Sequence, residues 1–542
     1  MRIAVDMDVA ARMRDGTTLR ANVYRPDGDG PWPTLLTRLP YGKDDLGVLT
    51  VLDPVQAARK GFMVVIQDCR GRFASEGEWT PFWFEEQDGP DTVEWAARLP
   101  GSNGRVGMYG DSYFGNTQWL AAFGQPPSLA AIAPGLTWSE PMDGLLARGG
   151  AVELGLALPW SIETGVNYLQ RLRRETAPLI DEYDRLAEYG YWQLPVSDQA
   201  VLRRHPLADM GLLRAIDDPD FVARCRVAGR YARVTVPTFH TGGWHDVFLQ
   251  GTLDNYVAMS ASGREARLLV GPWTHARFSD PIGEKVFGQR GSRHGVPTHE
   301  LGDANDLLLA WFRRHLADDH GVELPEPPVR IFVMGSNVWR NESSWPLTRA
   351  RHESWFLHSD GSLSRSGPSS DEAESQFRYD PADPVLTCGG SHLMSPEFPA
   401  GPLEQSPVER RSDVLVFTSA PLERELEVTG RVKAVLNAES SAPATDWVVR
   451  LCDVHPDGRS FNLCDGILRA GRDHRYEIDL WSTSNVFLAG HRLRVQVTSS
   501  CFPRWDRNLN TGDQSRKDHH VAHQRIHHAA SRPSYIELPV IE

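Results

Sequence analysis

Apolar and polar residues follow three different rhythms along the chain. Over residues 1–138, short apolar runs are separated by stretches of helical spacing. Thr18 to Tyr24 alternates with the two-residue period of a half-buried strand, and Thr34-Leu-Leu-Thr-Arg38 is a short buried one. Gly61-Phe-Met-Val-Val-Ile-Gln-Asp68 is continuously apolar and β-branched, the mark of a central parallel strand covered on both faces. Asp91 to Leu99 has amphipathic helical spacing, and Val106 to Tyr109 is a further buried strand. From Ser139 to about Arg233 the rhythm is helical, over Leu145 to Leu158 and Tyr168 to Tyr189, with no strand run. Strand and helix then alternate again from Val234 to a strand at Val329 to Met334. Beyond residue 350 the pattern is all strand: Ser354 to His358, Asp413 to Thr418, Leu426 to Leu436, Asp446 to Val454, Ser460 to Arg469, Arg475 to Leu480, His491 to Ser499 and Ser534 to Ile541. Polar turns such as Pro456-Asp-Gly458 separate them, which predicts a β-sandwich or jelly roll.

The expected organisation is therefore an α/β domain in two parts, 1–138 and 234–350, interrupted by a helical insertion at 139–233 and followed by an all-β domain at 351–542. The insertion is most simply a cap over the active edge of the sheet; the alternative is an independent helical domain. A length of 542 residues exceeds what one core serves. A net charge of −14 with no basic block argues against a nucleic-acid partner. No run of 18 apolar residues occurs, and Met-Arg-Ile-Ala-Val-Asp-Met-Asp at the start has no apolar signal core, so no membrane association is expected. Six scattered cysteines without a C-x-x-C pair suit a reducing, cytoplasmic setting.

Candidate chemistry gathers at three strand ends. Gly110-Asp-Ser-Tyr-Phe-Gly115 follows a strand and precedes a helix, so Ser112 is raised above the sheet edge beside the N–H groups of the helix start. The pattern is G-x-S-x-x-G, with Phe114 where the second glycine of a nucleophile elbow is expected. Gly-Asp-Ser also suits an ordinary turn or N-cap. A second strand ends in Gly242-Gly-Trp-His-Asp246, and a third in Gly271-Pro-Trp-Thr-His275. Open α/β sheets collect functional groups outside the carboxyl ends of their strands. Serine, aspartate, histidine is also the chain order of the α/β-hydrolase triad. Ser112 as nucleophile, His275 as base and Asp246 as its orienting acid follow from that placement. Asp68 and Arg70 are expected to pair across the loop after their strand.

With these residues in view, the chain resembles the cocaine esterase and X-Pro dipeptidyl-peptidase family of serine hydrolases. The resemblance rests on Met13-Arg-Asp-Gly16, Gln67-Asp-Cys-Arg-Gly71, Gly110-Asp-Ser-Tyr-Phe-Gly115, Gly243-Trp-His-Asp246 and Gly271-Pro-Trp-Thr-His275. It extends into the last domain through Leu463-Cys-Asp-Gly-Ile467, Thr483-Ser-Asn-Val-Phe487 and Cys501-Phe-Pro-Arg-Trp-Asp-Arg507. It implies an α/β-hydrolase domain with an inserted helical cap and a C-terminal jelly roll. It also implies oxyanion donors at the Tyr41 hydroxyl and the Tyr113 backbone N–H, and acyl or leaving-group contacts at Trp160, Phe248, Leu393 and Met394. No cofactor or metal is implied; the partner is a small ester or amide, and a homodimer is compatible. Leu145 stands near where the family would place an aromatic. The apolar Val247-Phe-Leu249 after Asp246 shows no carboxylate for an ammonium, which disfavours amino-acid esters and, less directly, N-terminal dipeptide release.

Other readings compete. His519, His523 and His527 would share one helix face and invite a metal, but the carboxylate or thiolate spacing of a zinc site is missing. His245 could replace His275 as base, although neighbours in extended backbone point apart. A peptidase or acylase of the X-Pro type is the nearest alternative activity. A carbohydrate-binding protein on an inactive hydrolase fold is the alternative of another class.

Overall fold

The apolar runs of the α/β part become the parallel centre of one large sheet, because each carries side chains that need cover on both faces. The structure, a computed structural model, describes every residue except 1, 46, 48–50, 298–301, 318–320, 472 and 516. Strands β1 (Ile3–Arg12), β2 (Thr18–Pro26), β3 (Trp32–Leu39), β4 (Met63–Asp68), β5 (Ser102–Asp111) and β6 (Leu129–Gly135) form its first half. After a two-stranded hairpin of β7 (Ala147–Arg148) and β8 (Ala151–Val152), strands β9 (Thr238–His245), β10 (Ala266–Thr274), β11 (Val329–Val333) and β12 (Val338–Glu342) complete it. The spatial order is β1-β2-β4-β3-β5-β6-β9-β10-β11-β12, parallel from β4 to β11 and antiparallel at both margins. Neighbouring residues of one strand serve opposite faces. Leu36, Val65 and Met108 join the core beneath helices α1 (Glu85–Ala97), α2 (Tyr113–Phe123) and α4 (Leu249–Ala261), whereas Leu35, Val64 and Tyr109 join the core beneath α5 (Ala304–Leu316).

The chain runs from β3 to β4 on one side and reaches β5 on the other, so the crevice at their carboxyl ends is a topological switch point. Tyr41 follows β3, and Ser112 follows β5. The segment between β6 and β9 contains the long helix α3 (Leu154–Arg171) and shorter turns of helix. Residues beyond 350 build antiparallel sheets around a separate core that includes Trp355, Leu436, Trp447, Leu480 and Leu538. All eight strands expected there are present, with boundaries shifted by a few residues.

Several local expectations are corrected. The strand Ile3–Arg12 escaped notice because its outward side chains, Met7 among them, are exposed on a sheet margin, so no apolar run marks it. Leu145 to Leu158 is not one helix: a hairpin occupies 147–152, and α3 starts only at Leu154. Tyr168 to Tyr189 breaks after Arg171 and resumes as the short helix Ala177–Tyr183. Ala522–Ile526 is a strand, so His519, His523 and His527 share no helix face; His527 instead meets Glu374 and Glu439. Asp68 accepts the Lys43 backbone N–H at 2.7 Å, and Arg70 pairs with Asp88 and Asp15. The sequence offered no distance by which to prefer those partners.

Candidate active site

Ser112 sits in the left-handed region, with φ 62° and ψ −126°, a conformation that costs a non-glycine residue roughly 1–3 kcal/mol. Its surroundings fix that geometry. Its N–H donates to Gly135 O at 3.0 Å, and its carbonyl accepts from the N–H groups of Gly115 and Asn116 at 3.0 Å and from the Thr137 hydroxyl at 2.9 Å. The glycines explain the variant motif. A Cβ on Gly110 would stand 2.2 Å from the Phe114 ring, so Phe114 is accommodated by the missing side chain before the serine. A Cβ on Gly115 would meet Gly135 O at 2.7 Å, where α2 crosses the end of β6.

The three strand ends converge. Asp246 Oδ2 is 2.6 Å from His275 Nδ1, and His275 Nε2 is 2.9 Å from Ser112 Oγ. Asp246 is fully buried, and its Oδ1 accepts the Phe248 N–H at 2.8 Å. A carboxylate can only accept, so the His275 Nδ1–H donates and the Nε2 lone pair faces the serine hydroxyl. The Phe248 ring stands edge-on to His275 at 5.2 Å, restraining the imidazole.

Tyr41 and Tyr113, the residues expected to supply the oxyanion donors, line one cavity with Ser112 and His275. Tyr41 Oη accepts the Trp160 indole N–H at 3.1 Å, which leaves its own hydrogen to donate. Burial pushes the Tyr41 phenol up to about 12, so it remains a donor through the neutral range. Tyr113 begins α2, where first-turn N–H groups lack helical acceptors. Its ring has a different duty: Oη accepts from Phe82 N at 3.0 Å and donates to Glu85 at 3.1 Å.

A cavity of about 320 Å³ opens over these groups. Trp160, Phe248 and Leu393 line it, and so does Leu145. Met394 is absent from the lining; its side chain fills the space over Gly155 of α3, where a Cβ would lie 2.8 Å from Met394 Cγ. Phe82, Trp138, Leu156 and Glu163 also line the cavity and were not anticipated as site residues. Trp138 lies just beyond β6, so the strand-end rule that located the triad could have found it. Leu156, Trp160 and Glu163 repeat at i, i+4 and i+7 on α3, a face that becomes legible once Trp160 is placed. Glu163 accepts the Tyr183 hydroxyl at 2.6 Å and brings a carboxylate to a wall expected to be apolar.

His245 takes no part here. Its ring is fully buried, lines a second cavity, has no hydrogen-bond partner at either nitrogen among the described residues, and is pushed down to about 4 by burial. In that cavity lies the one group of His and Asp side chains, among the described residues, close enough to share an ion: Asp453, His455 and His491. Lys285 Nζ lies 2.6 Å from His455 Nε2, so a lysine of the chain already reaches the cradle and its positive charge opposes a second cation.

Comparison with known proteins agrees with this architecture. Residues 15–277 match the X-Pro dipeptidyl-peptidase family (S15), and residues 320–537 match the X-Pro dipeptidyl-peptidase C-terminal non-catalytic domain. The chain is 36% identical to cocaine esterase of Rhodococcus sp. (strain MB1 Bresler) over 584 aligned positions, covering 99% of each. In structure it is similar to an aminopeptidase from a marine sediment Thaumarchaeota archaeon, with TM-score 0.80 at 24% identity, covering 100% of this chain and 96% of that one. It is likewise similar to an α-amino acid ester hydrolase, with TM-score 0.75 at 22% identity and 99% and 96% coverage. Match, identity and coverage together establish that the chain belongs to the cocaine esterase and X-Pro dipeptidyl-peptidase family of serine hydrolases.

Proposed function

We propose that the chain hydrolyses carboxylic esters through an acyl-enzyme on Ser112. The observation that carries the reading is the continuous hydrogen-bond relay from Asp246 through His275 to Ser112, at 2.6 and 2.9 Å, under an apolar cavity. Ser112 Oγ attacks the ester carbonyl carbon as its proton passes to His275 Nε2. The carbonyl oxygen becomes an oxyanion and accepts hydrogen bonds from the Tyr41 hydroxyl and the Tyr113 N–H. Asp246 stabilises the imidazolium, which returns its proton to the leaving alkoxy oxygen, and the alcohol departs. Water then attacks acyl-Ser112 by the same relay, releasing the acid and restoring the serine.

Phe82, Trp138, Leu145, Leu156, Phe248 and Leu393 suit a bulky or aromatic acyl group, whose burial gains roughly 25 cal/mol per Å² of apolar surface. On this reading 1–138 and 234–350 form the hydrolase domain, 139–233 its cap and 351–542 a jelly-roll-like domain. Six cysteines, all free, are in keeping with a cytoplasmic setting. One residue favours a second reading: Glu163 offers a carboxylate to an amine-bearing ester or peptide. A panel of p-nitrophenyl esters, with and without an α-amine, run against Xaa-Pro-nitroanilides decides between them. Preference for neutral aromatic esters is expected. Preference for free-amine Xaa-Pro amides would overturn the ester reading, and turnover of none would favour a binding protein.

A further inference from the structure

Arg72 lies in the loop after β4 and is 1% exposed. Its guanidinium meets no carboxylate among the described residues. Nε donates to Pro40 O at 2.7 Å, Nη1 donates to Thr164 O at 3.2 Å, and Nη2 comes within 3.5 Å of Asn167 Oδ1. The Trp79 and Phe73 rings cover it, with centroids 4.4 and 5.2 Å away. Four other buried arginines pair directly, whereas Arg148 and Arg450 come only within 3.7 Å of Asp465. Arg38, Arg70, Arg293 and Arg504 reach Glu85, Asp88, Asp111 and Asp465 at 2.6, 2.6, 2.5 and 2.7 Å. A buried charge without a counter-charge carries a desolvation penalty that carbonyl contacts only partly offset.

The contacts of Arg72 meet at the oxyanion hole. Pro40 O belongs to the peptide unit that enters Tyr41, so the 2.7 Å bond fixes the turn aiming that phenol. Thr164 and Asn167 lie on α3 within a few residues of Trp160, whose indole holds the Tyr41 oxygen. Trp79, which covers the guanidinium, also packs against Trp160, with ring centroids 5.8 Å apart. Burial raises the Tyr41 phenol pKa, and the Arg72 charge pulls the other way, favouring negative charge at that oxygen.

We propose that Arg72 is a positioning residue of the oxyanion hole, clamping the Tyr41 turn to the cap helix and lending Tyr41 a positive field whose counter-charge is the reaction's own oxyanion. The inference rests on the ester-hydrolase reading above. In the resting site no carboxylate among the described residues bonds the cation, and Asp68 acts on it only at longer range. When the carbonyl oxygen becomes negative at the Tyr41 hydroxyl, the cation gains a partner. The benefit arises only in the transition state and therefore appears in kcat rather than KM.

The test compares wild type, Arg72→Met, Arg72→Lys, Tyr41→Phe, the Tyr41→Phe/Arg72→Met double variant and Ser112→Ala on one p-nitrophenyl ester. Competition by phenylboronic acid, which becomes a tetrahedral anion on the serine, is measured beside competition by neutral benzyl alcohol. Arg72→Met is expected to lower kcat by about 10- to 100-fold with KM within about threefold. It should weaken phenylboronic acid comparably and leave benzyl alcohol unchanged, while Arg72→Lys recovers part of the loss. The double variant should lose less than the product of the two single losses, because Arg72 acts through Tyr41. Arg72→Gln, which keeps a donor for Pro40 O without the charge, carries the same expectation if Arg72→Met does not fold. A kcat within twofold of wild type, equal weakening of both inhibitors, or independent losses would overturn the proposal. Turnover by Ser112→Ala would instead overturn the reading beneath it.

Discussion

Tyr41 and Tyr113 separate, at the scale of single residues, a side-chain role from a backbone one. Tyr41→Phe removes a donor whose bond forms only with the oxyanion, so kcat should fall about 10²- to 10³-fold with little change in KM. Tyr113→Phe keeps the backbone N–H and should leave kcat within a few fold. It does remove the acceptor of Phe82 N–H and a donor to Glu85, a loss of about 1–3 kcal/mol in the core that a thermal melt should register. Equal kinetic effects at the two positions would contradict these assignments. The convergence of Ser112, Asp246 and His275 was legible because each follows a strand end in the order such sheets use. The duty of the Tyr113 ring was not, because Glu85 lies far away in sequence and only the packing of α1 against α2 brings the two together.

The cap shows, at the scale of the element, where periodicity fails. Residues 147–152 sit inside a longer stretch of helical apolar spacing, yet Gly149-Gly150 turns them into a hairpin, which is pinned to the β domain: Gly149 O accepts Arg469 N at 2.7 Å, and Arg148 stacks on Trp481 at 3.7 Å. The Gly-Gly turn was a local signal of the hairpin, whereas its docking on segments so distant in sequence leaves none. Glu153, just before α3, is buried there and accepts the Trp505 indole at 2.7 Å. Burial pushes its carboxyl up to about 7, above the ordinary value near 4.5. The folded state thus holds a proton that the unfolded chain has lost between those pH values, and this contribution to stability falls as pH rises from about 4.5 to 7. Glu153→Gln keeps an acceptor for Trp505 without titrating. Its melting temperature should fall less than that of wild type between pH 5 and 8; an equal or steeper fall would refute the assignment. On the same helix, Glu163→Gln should slow α-amino esters selectively if amines bind there and leave neutral esters unchanged. Selective slowing of neutral esters would contradict that placement.

At the scale of the whole molecule, the division into an interrupted α/β sheet and a strand-rich C-terminal half was legible from the change of rhythm near residue 350. What the rhythm could not show is that the active site spans both. Leu393 reaches the cavity from beyond that boundary, and Met394 packs against Gly155 of the cap. A chain ending at residue 350 should therefore have no measurable esterase activity and should expose the apolar surface of the cap, read by increased binding of a hydrophobic dye. An active, monodisperse truncation would show that the β half is dispensable. The central claim, acyl transfer through Ser112, is tested most directly by mixing the full chain with a slowly deacylating aromatic p-nitrophenyl ester, quenching in acid and mapping the acyl group by peptide mass. The account predicts a burst of one nitrophenolate per active chain and an acyl mass on Ser112 that is absent from Ser112→Ala. An adduct on another residue, or steady turnover by Ser112→Ala, would contradict it.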